Sequence, residues 1–216
     1  MDNKELFKIN VCRYLFTQTA SGKEVLEKIS NLVVKNKVKI KVSTVPLDEF
    51  PTNLKAFIID LEGKPPFLVG FQIHDKNFQF YITNMRYINQ LIYCILNILN
   101  ILKENKYVGF SFSNYEEIEM KRFYIKCFTE REKLDHLEIL KNYELINLQQ
   151  NLFESVLEAL YTLNVKFSND ILFKDHSLIQ KYFEMKNIDI ILKHNIHCLN
   201  TERFLLFKRF LKRYKI

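Results

Sequence analysis

Ala56-Phe57-Ile58-Ile59-Asp60-Leu61-Glu62-Gly63 is the stretch on which the reading of this 216-residue chain turns. It is an apolar run of strand length that ends abruptly in charge, the pattern of a strand in the middle of a sheet. Side chains two apart on a strand share a face, so Asp60 and Glu62 project together while Leu61 points the other way. Carboxylates held side by side repel unless a cation screens them, and hard ions such as Mg²⁺ and Mn²⁺ favour oxygen ligands. Two such ions can activate a water and stabilise the leaving oxygen of a phosphodiester. The plain alternative is a solvated strand rim, and the tripeptide alone does not choose between them.

Downstream, residues 67–73 (FLVGFQI) and 78–82 (FQFYI) read as two further strands joined by turn-like His74-Asp75-Lys76-Asn77. Lys64-Pro65-Pro66 separates the first strand from the second. Short connections between three successive strands predict an antiparallel meander. Thr83 and Asn84 offer caps for a helix whose apolar face is Met85, Ile88, Leu91, Ile92, Ile95, Leu96 and Leu99. A strand over 107–112, a helix over 115–128 and a strand over 144–148 follow. Helices are expected near 153–163, 176–184 and 188–214, the last broken near Asn195.

Upstream, residues 1–50 read as an N-terminal extension packed on a main domain of residues 51–216. Its helix over 21–34 places Val25, Leu26, Ile29, Leu32 and Val33 on one face, with Ser21 and Glu24 as a capping box. Lys35, Lys37, Lys39 and Lys41 then alternate with Val38, Ile40 and Val42 as in a half-buried strand. Four ammonium groups on one face suit a solvated edge strand, and they also suit a surface that meets phosphates. At the other end, Arg203, Lys208, Arg209, Lys212, Arg213 and Lys215 stripe the expected outer face of the last helix, against Phe204, Leu205, Phe207, Phe210, Leu211 and Tyr214 inside. With Lys35–Lys41, the cations Lys208, Arg209, Lys212 and Arg213 are the candidate grip on a nucleic-acid backbone.

The element order is thus β-β-β-α-β-α-β-α. It predicts an α/β protein with a mixed sheet, an antiparallel three-strand meander plus βα units, and helices on both faces. This is the order of the ribonuclease H-like fold. The run FIID followed by LEG resembles the first motif of the DEDD superfamily of ribonuclease H-like 3′–5′ exonucleases. Tyr107-Val108-Gly109-Phe110-Ser111-Phe112-Ser113-Asn114-Tyr115-Glu116 is similar to the second, in which a strand leads to an acidic residue at a helix start. A carboxylate there also suits the positive end of the helix dipole. Residues 144–148 (ELINL) resemble the strand that usually reads Asp-Leu, with Asn147 in the acidic place, and 175–183 (DHSLIQKYF) the helix after it.

The resemblance covers about residues 55–210 and implies Asp60, Glu62 and Glu116 as ligands of two Mg²⁺ or Mn²⁺ ions. The chain departs from the fourth motif, a Tyr-x-x-x-Asp or a His before an Asp. His194 stands at the Tyr and Cys198 at the Asp, with Asn200 and Asp189 as displaced oxygen donors. A thiol is a poor Mg²⁺ ligand. His194 is a candidate base or water-orienting group. His194 with Cys198 at helical spacing is half of a Zn²⁺ site, but the sequence offers no second pair, and packed side chains are the more frequent outcome. The function so implied is a metal-dependent nuclease acting on single-stranded DNA or RNA. The alternative is an inactive ribonuclease H-like nucleic-acid-binding or scaffold subunit with protein partners.

Composition bounds the rest. The formal charge of +7 and pI of about 9.1 favour polyanionic partners. Four Gly and four Pro leave little room for long linkers. The four cysteines form no CxxC pair and read as reduced thiols. The N-terminal MDNKELFKIN has no apolar signal core, and the apolar stretch 88–102 is interrupted by Asn89, Gln90, Asn97 and Asn100. The expectation is a soluble intracellular protein, cytoplasmic or nuclear, with no membrane partner.

Overall fold

Asp60 and its neighbours do form a central strand. A computed structural model of the chain describes residues 23–32, 37–45, 55–113, 115–127, 145–147, 158, 161 and 170–206. Among these, six strands make one mixed sheet: β1 (Lys39–Thr44), β2 (Ala56–Glu62), β3 (Leu68–Ile73), β4 (Lys76–Tyr81), β5 (Val108–Ser111) and β6 (Ile146–Asn147). Their order is β1-β4-β3-β2-β5-β6. β2, β3 and β4 form an antiparallel meander, β5 runs parallel to β2, and β6 parallel to β5. Every residue of β2 is buried, as its unbroken apolar run requires. β1 joins the same sheet by pairing antiparallel with β4 at the outer edge.

Two tight connections fix the meander. Ile73 pairs with Lys76, so β3 turns into β4 through His74 and Asp75 alone, with His74 at a left-handed φ of 53°. Gly63 leaves β2 at φ +96°, where an added Cβ would lie 2.3 Å from the Phe67 ring.

Five described helices are α1 (Lys23–Leu32), α2 (Ile88–Glu104), α3 (Tyr115–Cys127), α4 (Ser177–Glu184) and α5 (Ile188–Leu206). α2 buries Leu91, Ile92, Ile95, Leu96, Leu99 and Leu102, as its periodicity predicts. It faces Leu61 and Val69, on one side of the sheet. α5 packs on β2, β3 and β4 from the other side, where Asp60 and Glu62 point. Helices therefore cover both faces. No described helix is long and apolar enough to cross a membrane.

Three expectations need correction. Asn84 caps a single 3₁₀ turn, accepting from the Arg86 amide at 3.0 Å, and α2 begins only at Ile88. Val38, just before β1, is buried but Val42 on β1 is 48% exposed, because the edge of a twisted sheet turns away from the core. The last helix is not broken at Asn195: it is continuous over Ile188–Leu206, and Asn195 is fully buried. A mid-helix Asn usually competes with its own backbone, but here its amide is engaged elsewhere.

That engagement sets the register of α5. Asp60 pairs with Gly70, and Gly70 with Gln79, so the three lie in one row across β2, β3 and β4. Asn195 sits over the glycine. Its Nδ2 donates to Asp60 Oδ2 at 2.7 Å, and its Oδ1 accepts from Gln79 Nε2 at 3.0 Å. Gln79 Nε2 also donates to the Leu192 carbonyl at 2.7 Å. A Cβ on residue 70 would stand 2.2 Å from Asn195 Oδ1, so only glycine admits the helix this closely. Gly70→Ala is expected to lower stability by about 1–3 kcal/mol, read as a lower midpoint in urea unfolding. An unchanged midpoint would contradict this seating.

Candidate metal centre

Where β2 and β5 end side by side, the sheet opens into a cleft of about 810 Å³. Adjacent parallel strands commonly build ligand sites at their carboxyl ends. Asp60, Glu62, Tyr115, Glu116, His176, His194, Cys198 and Glu202 all line this cleft. Asp60 and Glu62 project from one face of β2, as their spacing predicts. Glu116 comes from the first turn of α3, whose Tyr115 amide donates to Ser113 Oγ at 3.1 Å.

α5 supplies the remaining wall by crossing the sheet obliquely. Its start lies at the outer edge, with Asp189 4.0 Å from Lys41 of β1. Its middle is anchored by Asn195 over Gly70, and near its end Glu202 accepts from the Phe112 backbone amide beyond β5. Between these points His194 and Cys198 face the cleft. His194 Nδ1 donates to Asp170 Oδ2 at 2.9 Å, which turns Nε2 toward Glu62 Oε1 at 3.8 Å and Cys198 Sγ at 3.6 Å. Asp170 caps a 3₁₀ turn (Ile171–Phe173) through the Leu172 amide and also accepts from His197 Nδ1 at 2.9 Å.

Four carboxyl groups are thus buried together: Asp60, Glu62, Glu116 and Glu202, each no more than 8% exposed. Burial disfavours their charged forms, and the charge of Asp60 adds to this at the other three. Burial pushes Asp60 from 3.8 to about 7, against hydrogen bonds from Glu62 and Asn195. Burial and the charge of Asp60 push Glu116 from 4.5 to about 8. The same two causes hold Glu62 and Glu202 well above the usual carboxylate range. Glu62 Oε1, Glu116 Oε2 and Glu202 Oε2 are buried without a hydrogen-bond partner. Buried oxygens without partners call for a ligand or a proton, and among the described residues the set whose metal-capable donor atoms all lie within 4.8 Å of one another is Glu62, His194 and Cys198. Burial also lowers His194 below 6.5, so its ring is neutral and basic at Nε2 near pH 7.

The residues singled out from sequence divide clearly. Asp60, Glu62, Glu116 and His194 come together in the cleft. Cys198 is buried there, and Asp189 is 4.0 Å from Lys41 of the edge strand. Lys39 and Lys41 are exposed on β1, three strands away from β2, and Lys37 is exposed just before it. Arg203, expected on an outer face, is buried instead, next to Glu202 on α5. Lys35, Lys208, Arg209, Lys212 and Arg213 lie outside the described residues, as do the expected helix at 153–163 (all but Glu158 and Tyr161) and the capping Ser21. Asn147 is in β6, parallel to β5.

Glu202 was not anticipated. It lies two helical turns beyond His194 and one beyond Cys198, hence on the same face of an unbroken helix. Asp170 and Asn195, which position His194 and Asp60, were not anticipated either.

The raised carboxyls tie stability to pH. The folded chain keeps protons that the unfolded chain releases near pH 4, so these groups add stability at low pH and lose it as pH rises through about 7 to 8. His194 and His176, lowered by burial, pull the other way around 6.5, so the comparison is with a variant. Without metal, the melting temperature of wild type should fall relative to that of Asp60→Asn between about pH 5 and about pH 8. Mn²⁺ should then raise the wild-type value more at the upper end. Parallel pH profiles for the two proteins would contradict the burial of an ionisable Asp60. No protein-family model, curated protein or solved structure was found to match this chain.

Proposed function

We propose that this chain is a metal-dependent nuclease of ribonuclease H-like build, acting as a 3′–5′ exonuclease on single-stranded DNA or RNA. The observation that carries the reading is the convergence of Asp60, Glu62, Glu116 and Glu202 on one cleft, with three of their oxygens buried and unpartnered. The order β4-β3-β2-β5-β6, a meander followed by two parallel strands, supports it. So does the place of Glu116 at the start of α3, where the DEDD resemblance has its third acid.

Glu202 answers the departure at Cys198. The last helix does present a carboxylate to the cleft, one turn later than the motif places it. Asp60, Glu116 and Glu202 would hold a Mg²⁺ or Mn²⁺ ion, and Glu62 would help to hold a second divalent ion. When bound, the ions supply charge for the phosphate oxygens and lower the pKa of an attacking water. The chain's own residues do the rest. Asn195 fixes the orientation of Asp60, and Asp170 fixes the tautomer of His194, whose Nε2 faces Glu62 Oε1 and Cys198 Sγ in the cleft. Lys64, 5.4 Å over the Tyr115 ring, is the one Lys or Arg among the described residues that line the cleft, and it suits a phosphate backbone.

The test is cleavage of end-labelled single-stranded DNA and RNA with Mn²⁺ or with EDTA. Wild type is expected to shorten one of them only with the metal. Asp60→Asn and Glu202→Gln are each expected to reduce the rate by about 100-fold or more, since removing a ligand costs at least what removing its support does. Cleavage indifferent to both substitutions would overturn the reading. Binding without metal-dependent cleavage would leave a nucleic-acid-binding module in its place.

A further inference from the structure

We propose that the corner of the cleft formed by Glu62, His194 and Cys198 is a site for a thiolate-accepting divalent ion, Zn²⁺ in the first instance, rather than for Mg²⁺. The inference shares the cleft with the nuclease reading and rests on it only for the reaction that the ion would serve.

The donor atoms of these three buried residues all lie within 4.8 Å of one another. Their spacing suits a small tetrahedral ion. Bonds of about 2.3 Å to sulfur and about 2.0 Å to nitrogen at a tetrahedral angle hold the two atoms about 3.5 Å apart. Cys198 Sγ and His194 Nε2 are 3.6 Å apart. Glu62 Oε1 is 3.8 Å from the same nitrogen and has no hydrogen-bond partner, although it is buried.

The support around the histidine points the same way. A ligating His commonly donates its other ring nitrogen to a carboxylate, which fixes the tautomer and makes the ligating nitrogen more basic. His194 Nδ1 does this to Asp170 at 2.9 Å, and Asp170 is itself held by the Leu172 amide at 3.0 Å. His197 shares that carboxylate instead of reaching the ion, so α5 contributes one imidazole and one thiol. With Glu62 they make three protein ligands, the number that leaves a fourth position open for water or substrate in catalytic zinc sites. Mg²⁺ has no use for sulfur or a neutral imidazole. Binding replaces the Cys198 S–H by a sulfur–metal bond, and the proton leaves to solvent.

Co²⁺ is a probe that reports sulfur ligation by colour. Titrated into the full chain, it is expected to produce a thiolate-to-Co²⁺ charge-transfer band that Zn²⁺ bleaches and excess Mg²⁺ does not. Cys198→Ser should abolish the band, and Asp170→Asn should weaken Co²⁺ binding by about 10- to 100-fold with the band intact. Glu62→Gln is a second variant, expected to weaken binding, should the serine chain fail to fold by circular dichroism. Absence of the band in wild type would overturn the proposal, and so would its persistence in Cys198→Ser. Asp60→Asn separates the two readings, because it is expected to lose cleavage but keep the band. Cleavage with Mg²⁺ and no thiolate band would leave the nuclease standing and this site refuted.

Discussion

Asn195 meets Asp60 across 2.7 Å at the middle of the sheet, and the rest of the cleft takes its position from that contact. It joins the central strand to the long C-terminal helix through a buried hydrogen bond, with Gln79 holding the other end of the same amide. Gly70 makes it possible by presenting no side chain beneath the helix. Once residue 195 is fixed, helical geometry carries His194, Cys198 and Glu202 to the open end of β2. The polar network is thus the docking device of α5, in a place where most helices would bring leucine.

Such a centre is expensive to fold. Four carboxyls taken out of water gain little from one another, and without a counter-ion they are tolerated by holding protons. This is local conflict between stability and structure, and it falls where a site requires it. The remainder of the molecule compensates by ordinary means. Phe57, Phe71, Phe78 and Phe80 fill the α2 side of the sheet without polar interruption. One face of the sheet is core, and the other is machinery.

That asymmetry explains how much of the molecule could be read from sequence. Apolar runs and turn residues gave away the meander and α2, because burial follows the periodicity of each element. Asp60 and Glu62 were legible because a strand ending in charge is unusual, and Glu116 because an acid opening a helix is a local signal. α5 was misjudged because its inner face is polar. Asn195 looked like a break when read against an apolar template, and with the helix broken there, Glu202 had no reason to be placed beside Asp60. Asp170 reaches His194 across 24 residues, and the row Asp60–Gly70–Gln79 acts across paired strands and through contacts with α5 more than a hundred residues apart, so nothing local marks them. The basic strand was read correctly as an edge, yet its described lysines lie three strands away from the carboxyls of β2.

The proposed function requires these carboxyls to close around a cation. Anomalous diffraction from crystals soaked in Mn²⁺ tests that most directly. The account predicts a peak within about 2.2 Å of an Asp60 oxygen and of at least one oxygen from Glu116 or Glu202. A cleft that stays empty at saturating Mn²⁺, or Mn²⁺ bound only elsewhere on the protein, would contradict it.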